Sequence, residues 1–221
     1  ENWWTSFPVS RSSGCCTSRS GVFATDHPVY WGPRRFISSR VHCTAASRKK
    51  GSPAPNTTAT KHYGSRIEFD NDGYLYFSIG DRGKRDVHPQ SLEYDAGKIH
   101  RINSDGSIPE SNPFVSQPNA HKSIYSYGHR NPQGMWFDKQ NNIVWSHEHG
   151  PRGGDELNIL KKGANYGWPL VSYGVNYSGT SFTDLHEKDG MQSPVLHWTP
   201  SIAPSVWWYL PSVNSPKLKG R

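Results

Sequence analysis

An all-β fold is predicted by the composition of the chain, the period of its apolar residues and its turn sequences. The 221 residues include 21 Gly, 9 Trp and 11 Tyr, which is typical of sheets with aromatic packing and many turns. From about residue 62 onward, apolar and polar residues alternate with the two-residue period of strands. No apolar run approaches the roughly 20 residues of a membrane-spanning helix. The length favours one domain, with two as the alternative.

The first predicted strands form a hairpin. Residues 66–69 and 74–79 are rich in Ile, Phe and Tyr, and they flank an Asp-Asn-Asp-Gly turn at 70–73. A further strand is predicted over 98–102, and it runs into a second Gly-containing turn at 103–106.

A second hairpin follows later in the chain. Residues 135–138 and 143–146 carry its two strands, and the polar run 139–142 supplies the turn. Another alternating run, 156–160, predicts the strand after it.

The two hairpins resemble each other at an offset of 68 residues. Phe69 and Phe137 each precede an Asp and a polar turn, and each turn is followed by a strand in which an aromatic residue directly precedes Ser. Repeated antiparallel sheets of this kind are typical of propeller blades. We therefore predict a β-propeller of four-stranded antiparallel blades, with another antiparallel meander as the alternative.

The chain changes character near residue 61. Residues 1–61 show no persistent period, hold 9 of the 25 basic residues and 2 of the 18 acidic ones, and contain all 3 cysteines. Residues 62–221 are balanced, with 16 basic and 16 acidic residues. We predict an irregular, solvated basic extension, with an anionic partner as the less favoured alternative. Nucleic-acid binding is not predicted, because no fold signature accompanies the charge.

Two loops are the first candidates for a functional site. Residues 128–134 and 148–156 each combine Gly and Pro with a cluster of Arg, Asn, His or Asp side chains. Polar clusters on loops that interrupt strands are common places for binding and catalysis. The two loops lie one hairpin apart, and together they indicate a functional site more strongly than either does alone.

The chain resembles the soluble glucose/sorbosone dehydrogenases, the aldose sugar dehydrogenases that use pyrroloquinoline quinone (PQQ). The resemblance runs from His62 to about Ser205 and follows the order of the family. It is carried by eight segments, at 62–66, 78–83, 97–102, 105–109, 128–134, 148–156, 165–169 and 200–205.

The resemblance implies a six-bladed propeller, of which residues 62–205 would cover about three blades and residues 206–221 a divergent tail. It implies oxidation of the C1 hydroxyl of an aldose to the lactone, with PQQ and Ca²⁺ as cofactors and an external electron acceptor. A periplasmic or secreted location is also implied. The absence of recognisable first and later blades predicts a truncated or frame-disturbed member. A non-catalytic or sugar-binding propeller fragment and a calcium-dependent lactonase remain the alternatives.

The resemblance also assigns residues to roles. His62 matches the general base, and a neutral imidazole suits proton transfer near neutral pH. Arg130 and Asn131 match the pair that contacts the quinone, where a permanent guanidinium stabilises developing charge. Ser201 matches a hydroxyl that lines the cofactor site.

The metal ligands are likewise implied by the resemblance. Gly150 and Pro151 match the backbone carbonyls that hold the catalytic Ca²⁺, a hard cation that prefers oxygen. Glu156 and the carbonyl of Tyr166 match a second, structural calcium site. A zinc site within 147–149 is not favoured, because the spacing differs from that of known zinc helices and no third ligand is marked.

Overall fold

The computed structural model describes residues 59–205. The predicted tail and nearly all of the predicted basic extension lie outside the described residues, so the proposed division at 61 and 205 stays a prediction. Within the described part no helix has the length and apolar character of a membrane span.

Eight strands form two four-stranded antiparallel sheets, which confirms the predicted fold class. The first sheet follows chain order through four strands: β1 (Ile67–Phe69), β2 (Leu75–Ile79), β3 (Lys98–Ile102) and β4 (Ile124–Tyr127). The second repeats that order with β5 (Pro132–Asp138), β6 (Ile143–Glu148), β7 (Asp155–Ile159) and β8 (Leu196–Trp198). Where the resemblance implied about three blades, residues 59–205 thus hold two sheets, because long irregular connections take up the rest of the range.

The predicted repeat is visible in the turns of both hairpins. Asp70 Oδ1 accepts hydrogen bonds from the backbone amides of Asp72 (3.0 Å) and Tyr74 (2.9 Å). Asp138 Oδ1 accepts from Gln140 (3.0 Å) and Asn141 (3.2 Å) in the same way. A short carboxylate that bonds to the next amides holds the chain in a turn, so the Asp after each Phe explains why the hairpin recurs.

The apolar core lies between the sheets. β5 packs against β1 and β2. The core cluster consists of buried residues from both sheets and the loop after β7: Tyr76, Ile99, Met135, Phe137, Val144, Leu160 and Tyr166. Removal of this apolar surface from water is the main force that holds the two sheets together.

Strand β3 is buried along its whole length, although it carries Lys98, His100 and Arg101. The ammonium of Lys98 donates hydrogen bonds to the carbonyls of His88 (2.6 Å), Ala96 (2.8 Å) and Pro89 (3.1 Å). These bonds replace the water that the cation loses on burial and tie the loop before β3 to the strand.

Candidate functional site

One cavity of about 890 Å³ lies where the loops of the two sheets meet. Six residues singled out from the sequence border it: His62, Arg130, Asn131, Gly150, Pro151 and Ser201. They come from four separate segments: the residues before β1, the β4–β5 connection, the β6–β7 loop and the segment after β8. The fold therefore brings these distant residues together, while the roles assigned to them stay predictions.

His62 is held at the cavity by its backbone and by its ring. Its φ of 55° lies in the left-handed region, which a non-glycine residue rarely adopts. A Cβ at Gly80 would collide with the carbonyl of His62, so the close approach of these two segments requires glycine. The Nδ1 atom lies 2.6 Å from Asp81 Oδ1. This contact leaves Nε2 as the ring nitrogen that can accept a proton.

Asp81 is the partner that fixes the imidazole, and it is only 1% exposed. It also accepts hydrogen bonds from the amide of Gly83 (2.7 Å) and the indole N–H of Trp168 (2.9 Å). Burial alone would raise the pKa of Asp81, but the hydrogen bond and charge of His62, with these two donors, lower it below its usual value. The carboxylate is therefore ionised and orients the ring.

Sequence reasoning gave no role to Asp81 or Trp168, although both lie in segments that carry the resemblance. Their contact joins residues 87 positions apart, so local pattern could not reveal it. The available signal was the Gly-Asp pair at 80–81, which directly follows a strand.

Arg130 is buried in the cavity wall. Its backbone amide donates to Glu148 Oε2 (2.6 Å), and Nη1 donates to the carbonyls of His149 (2.9 Å) and Gly150 (2.6 Å). Its guanidinium carbon lies 5.4 Å from the ring centroid of Trp168. Among the described residues its Nε has no hydrogen-bond partner. A buried donor without a partner is costly, which fits a ligand that would complete it.

Asn131 presents its amide nitrogen as a donor. Its Oδ1 accepts hydrogen bonds from the amide of Gly64 (3.2 Å) and from Gln133 Nε2 (3.1 Å). With the oxygen engaged, the NH₂ group is the part of the side chain left to serve the cavity that Asn131 borders.

The β6–β7 loop is shaped by Gly150. A Cβ at this position would collide with the carbonyl oxygens of Gly153 and Gly154. Its amide donates to Asp155 Oδ1 (2.8 Å). The carbonyl of Gly150 accepts one hydrogen bond, from Arg130, and a carbonyl oxygen keeps a second lone pair. The turn thus supplies oxygen donors of the kind that calcium prefers.

Asp155 joins two walls of the cavity and is fully buried. Its Oδ2 accepts hydrogen bonds from Ser201 Oγ (2.7 Å) and from the amides of Ile202 (2.8 Å) and Ala203 (2.7 Å). Ser201 borders the cavity as predicted from the resemblance, but its hydroxyl hydrogen is committed to Asp155. The Ser201 oxygen is therefore left to act only as an acceptor toward a ligand.

Glu156 and Tyr166 do not border the cavity. Glu156 lies opposite Glu148 in the β6–β7 register and accepts a hydrogen bond from Asn158 Nδ2 (3.2 Å). Burial, reinforced by the charge of Glu148, raises the pKa of Glu156 to about 8. Asn158 is 1% exposed, and its Oδ1 has no hydrogen-bond partner among the described residues. Two carboxylates beside an unpaired amide oxygen form a donor set that suits a cation.

Tyr166 is linked to Glu148 through His129. Its ring stacks on His129 with centroids 4.6 Å apart, and His129 Nδ1 lies 2.9 Å from Glu148 Oε1. Its hydroxyl donates to the carbonyl of Ile159 (2.5 Å), so the side chain belongs to the core. Only its carbonyl could therefore serve the predicted calcium site.

The two histidines of 147–149 face different surroundings. His147 is buried against Gly134, where a Cβ would collide with its ring. His149 borders the cavity and its Nε2 lies 2.7 Å from the carbonyl of Pro204. Within residues 59–205, no group of three or more His, Cys, Asp or Glu side chains is arranged to hold a metal ion.

The permanent charges that border the cavity are the guanidinium groups of Arg130 and Arg152. The imidazoles of His62 and His149 also border it, and none of its described lining residues is Asp or Glu. Unpaired positive charge in a concave site attracts anionic ligands. This lining fits a quinone that bears several carboxylates.

Comparison with known proteins decides the family. The family model of the glucose/sorbosone dehydrogenases matches residues 50–221. The chain belongs to this family. It is 43% identical to the aldose sugar dehydrogenase YliI of Escherichia coli over 153 residues, which cover 68% of this chain and 41% of that protein.

Solved structures agree with this assignment. The apo form of the soluble aldose sugar dehydrogenase of Escherichia coli superposes with a TM-score of 0.64 at 43% identity, covering 66% of this chain and 42% of that chain. The PQQ-bound aldose sugar dehydrogenase of Streptomyces coelicolor gives a TM-score of 0.53 at 35% identity, covering 66% and 39%. The chain thus spans about two fifths of the length of these relatives.

Proposed function

We propose that this chain carries the cofactor and base half of a quinoprotein aldose dehydrogenase that oxidises the C1 hydroxyl of a sugar to the lactone. The observation that carries the proposal is the convergence of His62, Arg130, Asn131 and the Gly150–Pro151 turn on one cavity in a member of this family. The sugar and an external electron acceptor would be its substrates, and its location would be periplasmic or secreted.

His62 is the proposed base. Its Nε2 takes the proton of the sugar hydroxyl, while Nδ1 stays bonded to the carboxylate of Asp81. The buried carboxylate stabilises the imidazolium that forms, in the manner of other His–Asp pairs in which the acid orients the base. Trp168 and Gly83 hold Asp81 in place through its other hydrogen bonds.

Arg130 and Asn131 are the proposed contacts to PQQ. Bound there, PQQ would supply a hydride acceptor for the sugar, and Ca²⁺ would supply a Lewis acid for the quinone. The guanidinium of Arg130 and the amide NH₂ of Asn131 provide donors toward developing negative charge. Ser201 offers its oxygen at the same wall.

The carbonyls of Gly150 and Pro151 are the proposed ligands of the catalytic Ca²⁺. Because Arg130 donates to the Gly150 carbonyl, a positive charge already lies beside that oxygen. Calcium alone would bind against this charge, whereas an anionic cofactor would offset it. We therefore expect PQQ and Ca²⁺ to bind cooperatively. Glu156 and the Tyr166 carbonyl, helped by Glu148 and Asn158, would hold a second calcium ion.

A binding titration tests the proposal. The purified chain is titrated with PQQ with and without Ca²⁺, followed by absorbance, and turnover is measured by dye reduction with glucose. Stoichiometric PQQ binding that requires Ca²⁺ is the expected result. If PQQ does not bind at any Ca²⁺ concentration, the proposed function is wrong.

A second candidate is a sugar-binding propeller without turnover. Cofactor binding without dye reduction would identify it. Hydrolysis of a lactone without an electron acceptor would instead identify a calcium-dependent lactonase.

A further inference from the structure

Arg152 contributes a charge to the cavity that the proposed catalytic arrangement does not use. The side chain is exposed and borders the cavity. Among residues 59–205, its guanidinium takes part in no ion pair and no hydrogen bond. Its backbone is nevertheless fixed, because its amide donates to the Val175 carbonyl (3.0 Å) and its carbonyl accepts from the Val175 amide (3.1 Å). These bonds fix the root of the side chain at the rim of the cavity, within reach of a ligand that enters it.

Tyr177 lies on the same rim. It is 74% exposed, borders the cavity, and its hydroxyl lies 3.4 Å from Nη2 of Arg130. The turn that carries it comes close to Arg152 at Gly179, where a Cβ would lie 3.3 Å from Arg152 Nη1. Gly179 also has a φ of 91°, which strains any other residue. The turn that carries Tyr177 therefore lies against Arg152, and both residues border the same cavity.

The chemistry of the rim selects a ligand class. A guanidinium in a site whose described lining includes no acidic residue favours an anion, and its planar fork matches a carboxylate with two parallel hydrogen bonds. An exposed aromatic ring offers a flat apolar surface with a polar edge. Such a ring can pack on the C–H face of a sugar while its hydroxyl bonds to a sugar oxygen.

We propose that Arg152 and Tyr177 form a carboxylate-binding subsite at the mouth of the cavity, which favours sugars that carry a carboxylate, the hexuronic acids, over neutral aldoses. The proposal rests on the proposed function, because it takes a sugar as an occupant of the cavity. Arg152 acts there as a specificity residue and moves no proton. A carboxylate of the cofactor is the second source of the same chemistry.

The first arm of the test uses the cofactor-free protein. Binding of D-glucuronate and of D-glucose is measured by calorimetry without PQQ or Ca²⁺. The wild type is expected to bind glucuronate about tenfold more tightly, the effect of one charge-assisted hydrogen-bonded pair. Arg152→Gln is expected to abolish this preference, and Arg152→Lys to retain part of it, because it keeps the charge and loses the fork. Lys162→Gln, which removes an exposed charge away from the cavity, is the control and is expected to keep the preference.

The second arm measures PQQ affinity with Ca²⁺ for the same proteins. If Arg152→Gln weakens PQQ binding about tenfold and the wild type does not prefer glucuronate, the carboxylate belongs to the cofactor. If Arg152→Gln and Arg152→Lys match the wild type in both arms, with unchanged circular dichroism, the subsite is overturned. Because the first arm contains no cofactor, wild-type protein that fails to bind PQQ refutes the proposed function without obscuring the sugar preference.

Discussion

The two sheets differ in how the hydrogen bonds of their buried ionisable groups are satisfied. In the first sheet, the fully buried ammonium of Lys98 is satisfied by three carbonyls within hydrogen-bonding distance. In the second, Asp155 is equally buried but its bonds hold two loops of the cavity, and Glu156 has one side-chain donor beside a second carboxylate. The first sheet is completed internally and acts as a scaffold. In the second sheet, Asp155 holds the loops of the cavity, and Glu148, Glu156 and Asn158 place their oxygens together as a donor set that suits a cation.

The largest expected effect tests whether Asp155 builds the cavity. Asp155→Ala leaves four hydrogen-bond donors without their acceptor, and we expect a loss of at least about 3 kcal/mol in unfolding free energy, because each unsatisfied buried donor costs about 1–3 kcal/mol. Urea unfolding followed by circular dichroism measures the loss. Asp105→Ala is the control, since Asp105 is exposed and, within residues 59–205, its side chain bonds only to Ser107. Equal losses in the two variants would show that the Asp155 contacts carry no special weight.

The next effect concerns His62, the proposed base, which reaches the cavity from the segment before β1. His62→Gln is expected to lower turnover of the PQQ-loaded protein at least about 100-fold, the usual contribution of a positioned proton acceptor. Dye reduction at saturating sugar measures it. Asp81→Asn is expected to lower turnover as well. It leaves Nε2 of His62 in place but replaces the carboxylate that pairs with Nδ1 by a neutral amide. Unchanged turnover in His62→Gln would remove His62 from the mechanism.

A smaller effect tests the hydrogen bonds that the buried Lys98 side chain makes within the first sheet and its loop. Lys98→Met leaves three carbonyls without a donor, and we expect a loss of about 2 kcal/mol in unfolding free energy. Lys162→Met, at an exposed position, is the control. PQQ affinity of the folded Lys98→Met protein is expected to stay close to the wild-type value, because Lys98 does not border the cavity.

The same residue gives a pH dependence with a defined sign. Burial lowers the pKa of Lys98 from 10.5 to about 7. Between these values the unfolded chain binds a proton that the folded chain releases, so the contribution of Lys98 to stability rises with pH. The stability difference between wild type and Lys98→Met should therefore grow from pH 7 to pH 9. A constant difference would show that Lys98 stays charged in the folded protein.

The smallest effect contrasts the outer strands of the two sheets. Ile124 in β4 is fully buried, whereas Leu196 in β8 is exposed. Ile124→Val is expected to cost about 1 kcal/mol, and Leu196→Ala less than about 0.5 kcal/mol. Thermal unfolding of both variants measures the contrast. A larger loss for Leu196→Ala would show that β8 is covered in the protein in solution.

The sequence predicted most of the strands and missed two. β1 to β3 and β5 to β7 have apolar alternation and turn residues at their ends, and these properties are local. β1 is also short, but the turn at 70–73 joins it directly to β2. β4 and β8, with four and three residues, follow the long connections 103–123 and 160–195, so neither a period nor a hairpin turn marks them. Their pairing depends on the sheets into which they fit.

The site was likewise predictable only where its signals lie within short segments of the sequence. His62, Arg130 and the Gly150–Pro151 turn came from matched segments of a family resemblance. The supporting bonds of Asp81 and Asp155 reach across 87 and 46–48 residues. No spacing rule connects such positions, because only the closed arrangement of the loops brings them together.

Trp168 gives the chain an optical probe of its own. Its indole N–H donates a hydrogen bond to the carboxylate of Asp81, and the guanidinium of Arg130 lies over its ring. The emission wavelength of an indole shifts with the electric field along its long axis. A molecule that enters and displaces the guanidinium changes that field, so the difference between the spectra of the native chain and Trp168→Phe would show its arrival without any attached dye.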